Sequence, residues 1–223
     1  MAVRNGARFL AEAMQSAIDQ AWVPLELLLV DGHSTDSTAA VARSFPRTRY
    51  VVQRGRGIAD AYNLGIAEAR GEFVAFLSHD DRWTSDKLTA QMAALLDRPE
   101  LGFAVGRVKY FLEPGAVVPS GFRTELLHGE HVAYIMEVLL ARRRVFDTVG
   151  AFDTSLSTGE DVDWFARARD LGVPHTVISS VLLHKRVHET NVSLNDPATN
   201  QILLRVVRRS LERKRERTPD GRP

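Results

Sequence analysis

"PLELLLVDGHSTDSTAAVARSF", residues 24–45, holds one complete unit of the fold. Its first seven residues are almost wholly apolar and end at Asp31-Gly32, the pattern of a strand buried on both faces of a parallel sheet. Ser34, Thr35 or Asp36 then offers a side-chain oxygen to the free N–H groups of a following helix. The same strand-then-helix order recurs downstream, as "RYVVQ" (49–53) with "GIADAYNLGIAEARG" (57–71), and as "EFVAFL" (72–77) with "SDKLTAQMAALLD" (85–97). Upstream, "RFLAEAMQSAIDQA" places Phe9, Leu10, Ala13, Met14, Ala17 and Ile18 on one helical face. Strands alternating with helices over short connections predict an α/β fold, a mostly parallel, Rossmann-like sheet flanked by helices. The chain opens at "MAVRNG", directly in a loop and helix. The expectation is a sheet lacking its usual first strand, or a start codon assigned too late, with neighbouring strands left poorly covered.

The second half is less regular. "GFAVGRVKYFL" (102–112) reads as a long strand, "PGAVVPSG" (114–121) as a loop, and "IMEVLLARRRVFDTVGAFD" (135–153) as strand, short helix and turn. "GEDVDWFARARDLG" (159–172) is a helix stopped at Gly172, and "HTVISSVLLHKRVH" (175–188) a strand running into polar residues. "ILLRVVRRSLERKRER" (202–217) is a basic amphipathic helix leading into "TPDGRP".

With 223 residues, 44% hydrophobic and 26% charged, the chain suits one sizeable α/β domain. A net charge of +1 supplies no field for nucleic acid, which is not an expected partner. Absence of cysteine removes disulfides, thiolate metal sites and thiol nucleophiles, and fits a reducing compartment. No apolar run is long enough to span a bilayer.

Ligands of open parallel sheets bind at the carboxyl ends of the strands. Three polar clusters fall there: Asp31 to Asp36, Ser78-His79-Asp80-Asp81, and His184 to Asn191. Each alone reads equally as helix capping, dipole complementation or a structural histidine.

In order along the chain stand "AVRNG", "VDGHSTDST", "GIADAYNLG", "FLSHDDRW", "VGAFDT", "GEDVDWFARARDLG" and "KRVHETNVS". This series, covering about residues 1–195, resembles the motifs of the family 2 glycosyltransferases, inverting enzymes of the GT-A fold. The resemblance implies a nucleotide-binding half over about residues 1–100, an acceptor-binding half over about 101–195, and a basic C-terminal helix and tail over 196–223. It implies transfer of a sugar from a nucleotide-sugar, commonly a UDP-sugar, to a hydroxyl of a saccharide, lipid-linked or other acceptor.

The implied roles follow the motifs. Asp80 takes the second aspartate of D-x-D and His188 the late histidine, together ligands for Mn²⁺ or Mg²⁺, which neutralises the leaving diphosphate. Asp81 supports that site or caps the next helix. Asp161 matches the catalytic base, with Glu160 beside it at the acceptor; an acidic first helical turn is the plain alternative. Asp31 and Asn5 match nucleoside contacts. Trp164 would stack on a sugar or fill the core. Departures are equally specific. Ser78 replaces the first aspartate of D-x-D, so metal dependence is open. Gly32 replaces an aspartate, and Tyr62 an arginine whose charge Arg54 and Arg56 could supply to the diphosphate.

Rival readings are a catalytically weak or inactive nucleotide-sugar-binding module and a sugar nucleotidyltransferase; the latter leaves "GEDVDW" without a role. A glycoside hydrolase needs no nucleotide loop, and a Rossmann dehydrogenase needs a G-x-G-x-x-G absent here. The basic tail offers a peripheral contact with an anionic membrane, against the alternative of a solvated helix. The location expected is cytoplasmic, including the inner membrane face.

Overall fold

The computed structural model describes residues 1–191 and 199–217. Val192 and Ser193 of the last motif, the boundary at residue 195 and the tail 218–223 lie outside the described residues. The first half is a parallel sheet in the order β1 (Ala2–Val3), β2 (Leu27–Asp31), β3 (Thr48–Val52). Helices α1 (Ala7–Ile18), α2 (Thr38–Ser44) and α3 (Ile58–Glu68) cover it. Leu29 packs with Leu10, Met14 and Ala42 on one face, while Leu28 and Val30 pack with Ala61 on the other. That two-sided burial is why residues 25–30 are apolar almost without a break.

The second sheet runs β4 (Phe73–Ala75), β8 (Leu140–Arg142), β6 (Phe103–Phe111), β9 (His175–Arg186), β5 (Arg82–Trp83), with β7 (His131–Ala133) also beside β6. β6 and β9 are parallel, but β4–β8, β5–β9, β6–β7 and β6–β8 are antiparallel. The expected parallel sheet therefore holds for the first half, and the second is mixed. From β6 the chain returns to β7 through a loop and a short 3-10 turn at Thr124–Leu127, with no crossover helix to set the strands parallel. The remaining helices are α4 (Lys87–Asp97), α5 (Arg144–Val149), α6 (Glu160–Asp170) and α7 (Thr199–Arg217).

The first strand is present as a two-residue stub. Ala2 and Val3 align with Val30 and Asp31, and a parallel bridge from Ala2 to Ser78 joins the two sheets. Below the stub, where a longer strand would separate β2 from β4, lies an apolar cavity of about 530 Å³ lined by Leu27, Leu28, Phe73 and Val74. The Met1 nitrogen donates to the Leu28 carbonyl at 2.6 Å.

Trp164 does not meet a sugar. It is 0% exposed, enclosed by Phe103, Phe146, Phe152 and Phe165. Its place one turn into α6 points it inward, so it fixes that helix to the core. α7 lies on α6 and the loop before it, with Val206 packed among Leu156 and Ala166, Arg209–Asp153 at 2.7 Å and Arg213–Asp170 at 3.0 Å. Among the described residues no helix is long and apolar enough to cross a membrane.

Candidate active site

Past Leu77 the chain leaves the sheet and turns through Ser78 to Asp81, facing the end of β9. Asp81 is 1% exposed; its two oxygens accept from the Arg186 N–H at 2.9 Å and from Lys185 Nζ at 2.9 Å. Burial pushes the Asp81 carboxyl up, and the Lys185 ammonium opposes it. Lys185 stands well above the ordinary lysine value: burial works against its charge, but Asp81, Glu137 and Asp80 more than offset that. The pair is therefore ionic. Arg186 is buried, donates from Nε to the Asp80 carbonyl at 2.8 Å, pairs with Glu12 and Glu113, and lies over the Phe9 and Phe111 rings. Asp81 is thus a structural anchor, and its neighbour takes other partners.

That neighbour, Asp80, accepts from His188 Nε2 at 2.9 Å and from the Asn191 amide at 3.3 Å. Burial would raise its pKa, but the His188 hydrogen bond and the nearby His79, Lys185 and His188 hold it below the usual carboxylate range. On the other ring nitrogen, His188 Nδ1 lies 2.8 Å from Thr190 Oγ1, a contact that fixes the imidazole's orientation. His79 faces away, against Gly6; a Cβ there would come within 2.6 Å of the imidazole, so the β1–α1 loop requires glycine.

Across from this cluster, α6 begins at Gly159, whose φ of +73° suits glycine. Its first turn carries Glu160, Asp161 and Asp163, which are not equivalent. Asp163 accepts from Arg167 Nε at 2.8 Å, and Arg167 also donates to the carbonyls of Val149, Gly150 and Ala151. Asn63 exchanges two hydrogen bonds with the Phe152 backbone, at 2.8 and 3.0 Å. These residues brace the "VGAFD" loop between α3 and α6. Asp161 and Glu160 have no such partner among the described side chains; Asp161 accepts from backbone N–H groups, that of Val162 at 2.7 Å. Burial, then the charge of Glu137, raises Asp161 to about 6. Burial, then Asp161, raises Glu160 to about 7. Two carboxyls poised near neutrality are suited to proton transfer.

The residues expected at the nucleoside lie on a tied pair of loops. Asn5, at φ +51°, accepts from the Thr35 N–H at 2.8 Å and donates its own N–H to Ser34 Oγ at 2.8 Å. Asp31 is buried, accepting from the Ser34 N–H and hydroxyl at 2.9 and 2.6 Å and from the Tyr50 hydroxyl. Both residues therefore shape the loops through hydrogen bonds already made within the protein. Arg54 and Arg56 are exposed in the turn before α3 and pair with no described residue. Tyr62, at the position of the family's arginine, is buried against Phe76 and Phe152.

Among the described residues no group of three or more histidine and acidic side chains is arranged to hold a metal. Asp80 with His188 still fits one. The carboxylate is ionised, the imidazole is oriented from behind, and an oxygen–imidazole pair suits Mn²⁺ or Mg²⁺. Sequence reasoning missed Glu137 and Lys185. Lys185 sat within the quoted "KRVH", but nothing in the sequence indicates that it reaches across to Asp81 and Glu137.

Comparisons agree with this geometry. The family model for glycosyl transferase family 2 matches residues 1–152. An uncharacterized glycosyltransferase of Rickettsia typhi is 30% identical over 216 residues, 86% of this chain and 65% of that protein. The succinoglycan biosynthesis protein ExoO of Rhizobium meliloti is 31% identical over 77% of this chain and 55% of its own length. The chain thus spans about half to two thirds of these two relatives. Among solved structures, S. aureus TarS in complex with UDP-GlcNAc superposes with a TM-score of 0.75 at 19% identity, over 95% of this chain and 64% of that one. The mannosyltransferase PcManGT of Pyrobaculum calidifontis, with GDP-Man and Mn²⁺, gives 0.70 at 20% identity, over 95% and 62%. The fold is that of the GT-A glycosyltransferases. With its motifs in family order and the family model matched over most of its length, the chain belongs to glycosyl transferase family 2.

Proposed function

We propose that the chain transfers a sugar from a nucleotide-sugar, most simply a UDP-sugar, to an acceptor hydroxyl with inversion at the anomeric carbon. The observation behind this reading is the placement of Lys185, which bonds Asp81 at 2.9 Å and Glu137 at 3.3 Å and whose charge also reaches Asp80 and Asp161. The diphosphate side and the base side therefore share one neighbourhood. Residues 1–100 hold the nucleotide and residues 101–195 the acceptor, with the basic helix α7 following. Asn5, Asp31 and the loops they join receive the nucleoside, and Arg54 and Arg56 meet the diphosphate. Asp80 and His188 hold a divalent ion, with Ser78 and Asp81 behind them. A bound Mn²⁺ or Mg²⁺ supplies Lewis-acid neutralisation of the leaving diphosphate. Asp161 removes the proton of the attacking hydroxyl, and Glu160 orients that hydroxyl.

The names of the relatives ExoO and chondroitin synthase favour polysaccharide assembly, with a saccharide or lipid-linked acceptor. Nucleotide-sugars are cytoplasmic metabolites, which favours that compartment or the inner membrane face. Exposed Leu204, Val207 and Leu211 beside Arg205 and Arg208 on α7 favour peripheral contact with an anionic bilayer.

Calorimetric titration of UDP, GDP and dTDP with and without Mn²⁺ tests the donor assignment. NMR of the product from an α-linked donor tests inversion, which requires a β linkage. Nucleotide binding without transfer would favour the inactive module. A well-folded chain that binds none of the three contradicts the donor reading.

A further inference from the structure

We infer that Glu137 reads the hydroxyl groups of the donor sugar, a role resting on the donor reading above. Glu137 lies in a 3-10 turn, Met136–Val138, just before β8. The turn is held rigidly through three successive carbonyls: Trp83 Nε1 donates to that of Glu137 at 3.1 Å, Gln91 to that of Val138 at 2.8 Å, and Lys87 to that of Leu139 at 3.4 Å. The side chain is held too. Its Oε1 accepts from the Ser78 hydroxyl at 2.6 Å and from Lys185 Nζ at 3.3 Å. Its other oxygen, Oε2, accepts from no described residue and is not among the sealed, unpartnered polar atoms. The side chain is only 10% exposed, so what reaches that oxygen does so from within the site.

Position decides what that is. Ser78 and Lys185 tie Glu137 to the Asp80–Asp81 cluster, and its charge raises both Asp161 and Glu160. In the proposed reaction the transferred sugar must lie between the leaving phosphate and the base. A preoriented carboxylate oxygen there accepts sugar hydroxyls, and a site built on such bonds rejects the epimer that misplaces one. Ser78 belongs to this arrangement: an aspartate at that position would set a second carboxylate against Glu137.

The test is titration of UDP-glucose, UDP-galactose, UDP-GlcNAc and GDP-mannose beside UDP and GDP, into wild type and Glu137→Gln. The amide keeps an acceptor for Ser78 and Lys185, and a thermal melt checks the fold. In the variant the best-bound nucleotide-sugar is expected to weaken about 10-fold toward the affinity of its nucleoside diphosphate. The preference between UDP-glucose and UDP-galactose should flatten, with UDP and GDP no weaker than before. Ser78→Ala, which loosens Glu137 without removing its charge, should give a smaller loss of the same kind. Equal weakening of sugar nucleotide and diphosphate would overturn the inference, leaving Glu137 a support. Equal tightening would overturn it too, leaving Glu137 a screen for Lys185. If wild type binds nucleotides but no nucleotide-sugar more tightly, Glu137 reads no sugar. If it binds nothing, the donor reading falls as well.

Discussion

Asp161→Asn is expected to lower kcat about 1000-fold, within the span general-base removal produces, while UDP affinity stays within a factor of two. The asparagine keeps the shape and the contact with the Val162 N–H but cannot take a proton. Because burial and Glu137 raise the wild-type carboxyl to about 6, kcat/KM should rise with pH through an acid limb near that value. The sign is fixed: below the limb the carboxyl is protonated and cannot accept the acceptor's proton, and above it the base is ready. Glu160→Gln should cost less, because its group orients rather than deprotonates. Asp163→Asn is the internal contrast. It weakens the Arg167 brace of the 149–151 loop, so it should lower the melting temperature and leave the acid limb in place. An Asp161→Asn enzyme retaining more than a tenth of wild-type turnover would remove Asp161 from the base role.

The contrast also shows how much of the site was legible in the sequence. The apolar run at 25–30, the capping residues and the ordered motifs were enough for β2 and β3 and for the pairing of Asp80 with His188. These are local patterns, or patterns whose spacing along the chain carries the signal. What was not legible depends on contacts between distant segments. Three acids share the first turn of α6, and only the Arg167 side chain reaching back to residues 149–151 separates the brace Asp163 from Asp161, which no described side chain holds. The sequence leaves Trp164 open to a sugar or the core, and the helical turn rotates it into an aromatic core. Lys185 and Glu137 are 48 positions apart and belong to no periodic pattern. Their juxtaposition exists only once β9 and the 3-10 turn before β8 are both in place. The first strand was read as missing because two residues are too few to register as a strand, although backbone pairing with β2 alone suffices to form one.

Asp80→Ala should abolish the metal response of nucleotide binding. In wild type, Mn²⁺ is expected to tighten UDP by about 100-fold, and in the variant by less than about 3-fold. The variant is expected to fold, because Arg186 bonds the Asp80 main-chain carbonyl, which every residue supplies. Metal-free UDP affinity should change little, since Lys185, Arg54 and Arg56 remain. His188→Ala should reduce the Mn²⁺ response about 10-fold, and Thr190→Val by less, as loss of a ligand and of its orienting partner imply. Asp81→Ala should behave in the opposite way. It strips Lys185 and the Arg186 N–H of a buried partner, so the expected loss is about 3–5 kcal/mol of stability, seen by denaturant unfolding before any binding is measured. If instead Asp80→Ala kept the full Mn²⁺ response, the ion would have to be held elsewhere. If wild type showed no Mn²⁺ response at all, the fixed ammonium of Lys185 would be the charge facing the diphosphate. In that case Lys185→Met should weaken UDP strongly, whereas in a metal-dependent enzyme the same change should act mainly through the fold.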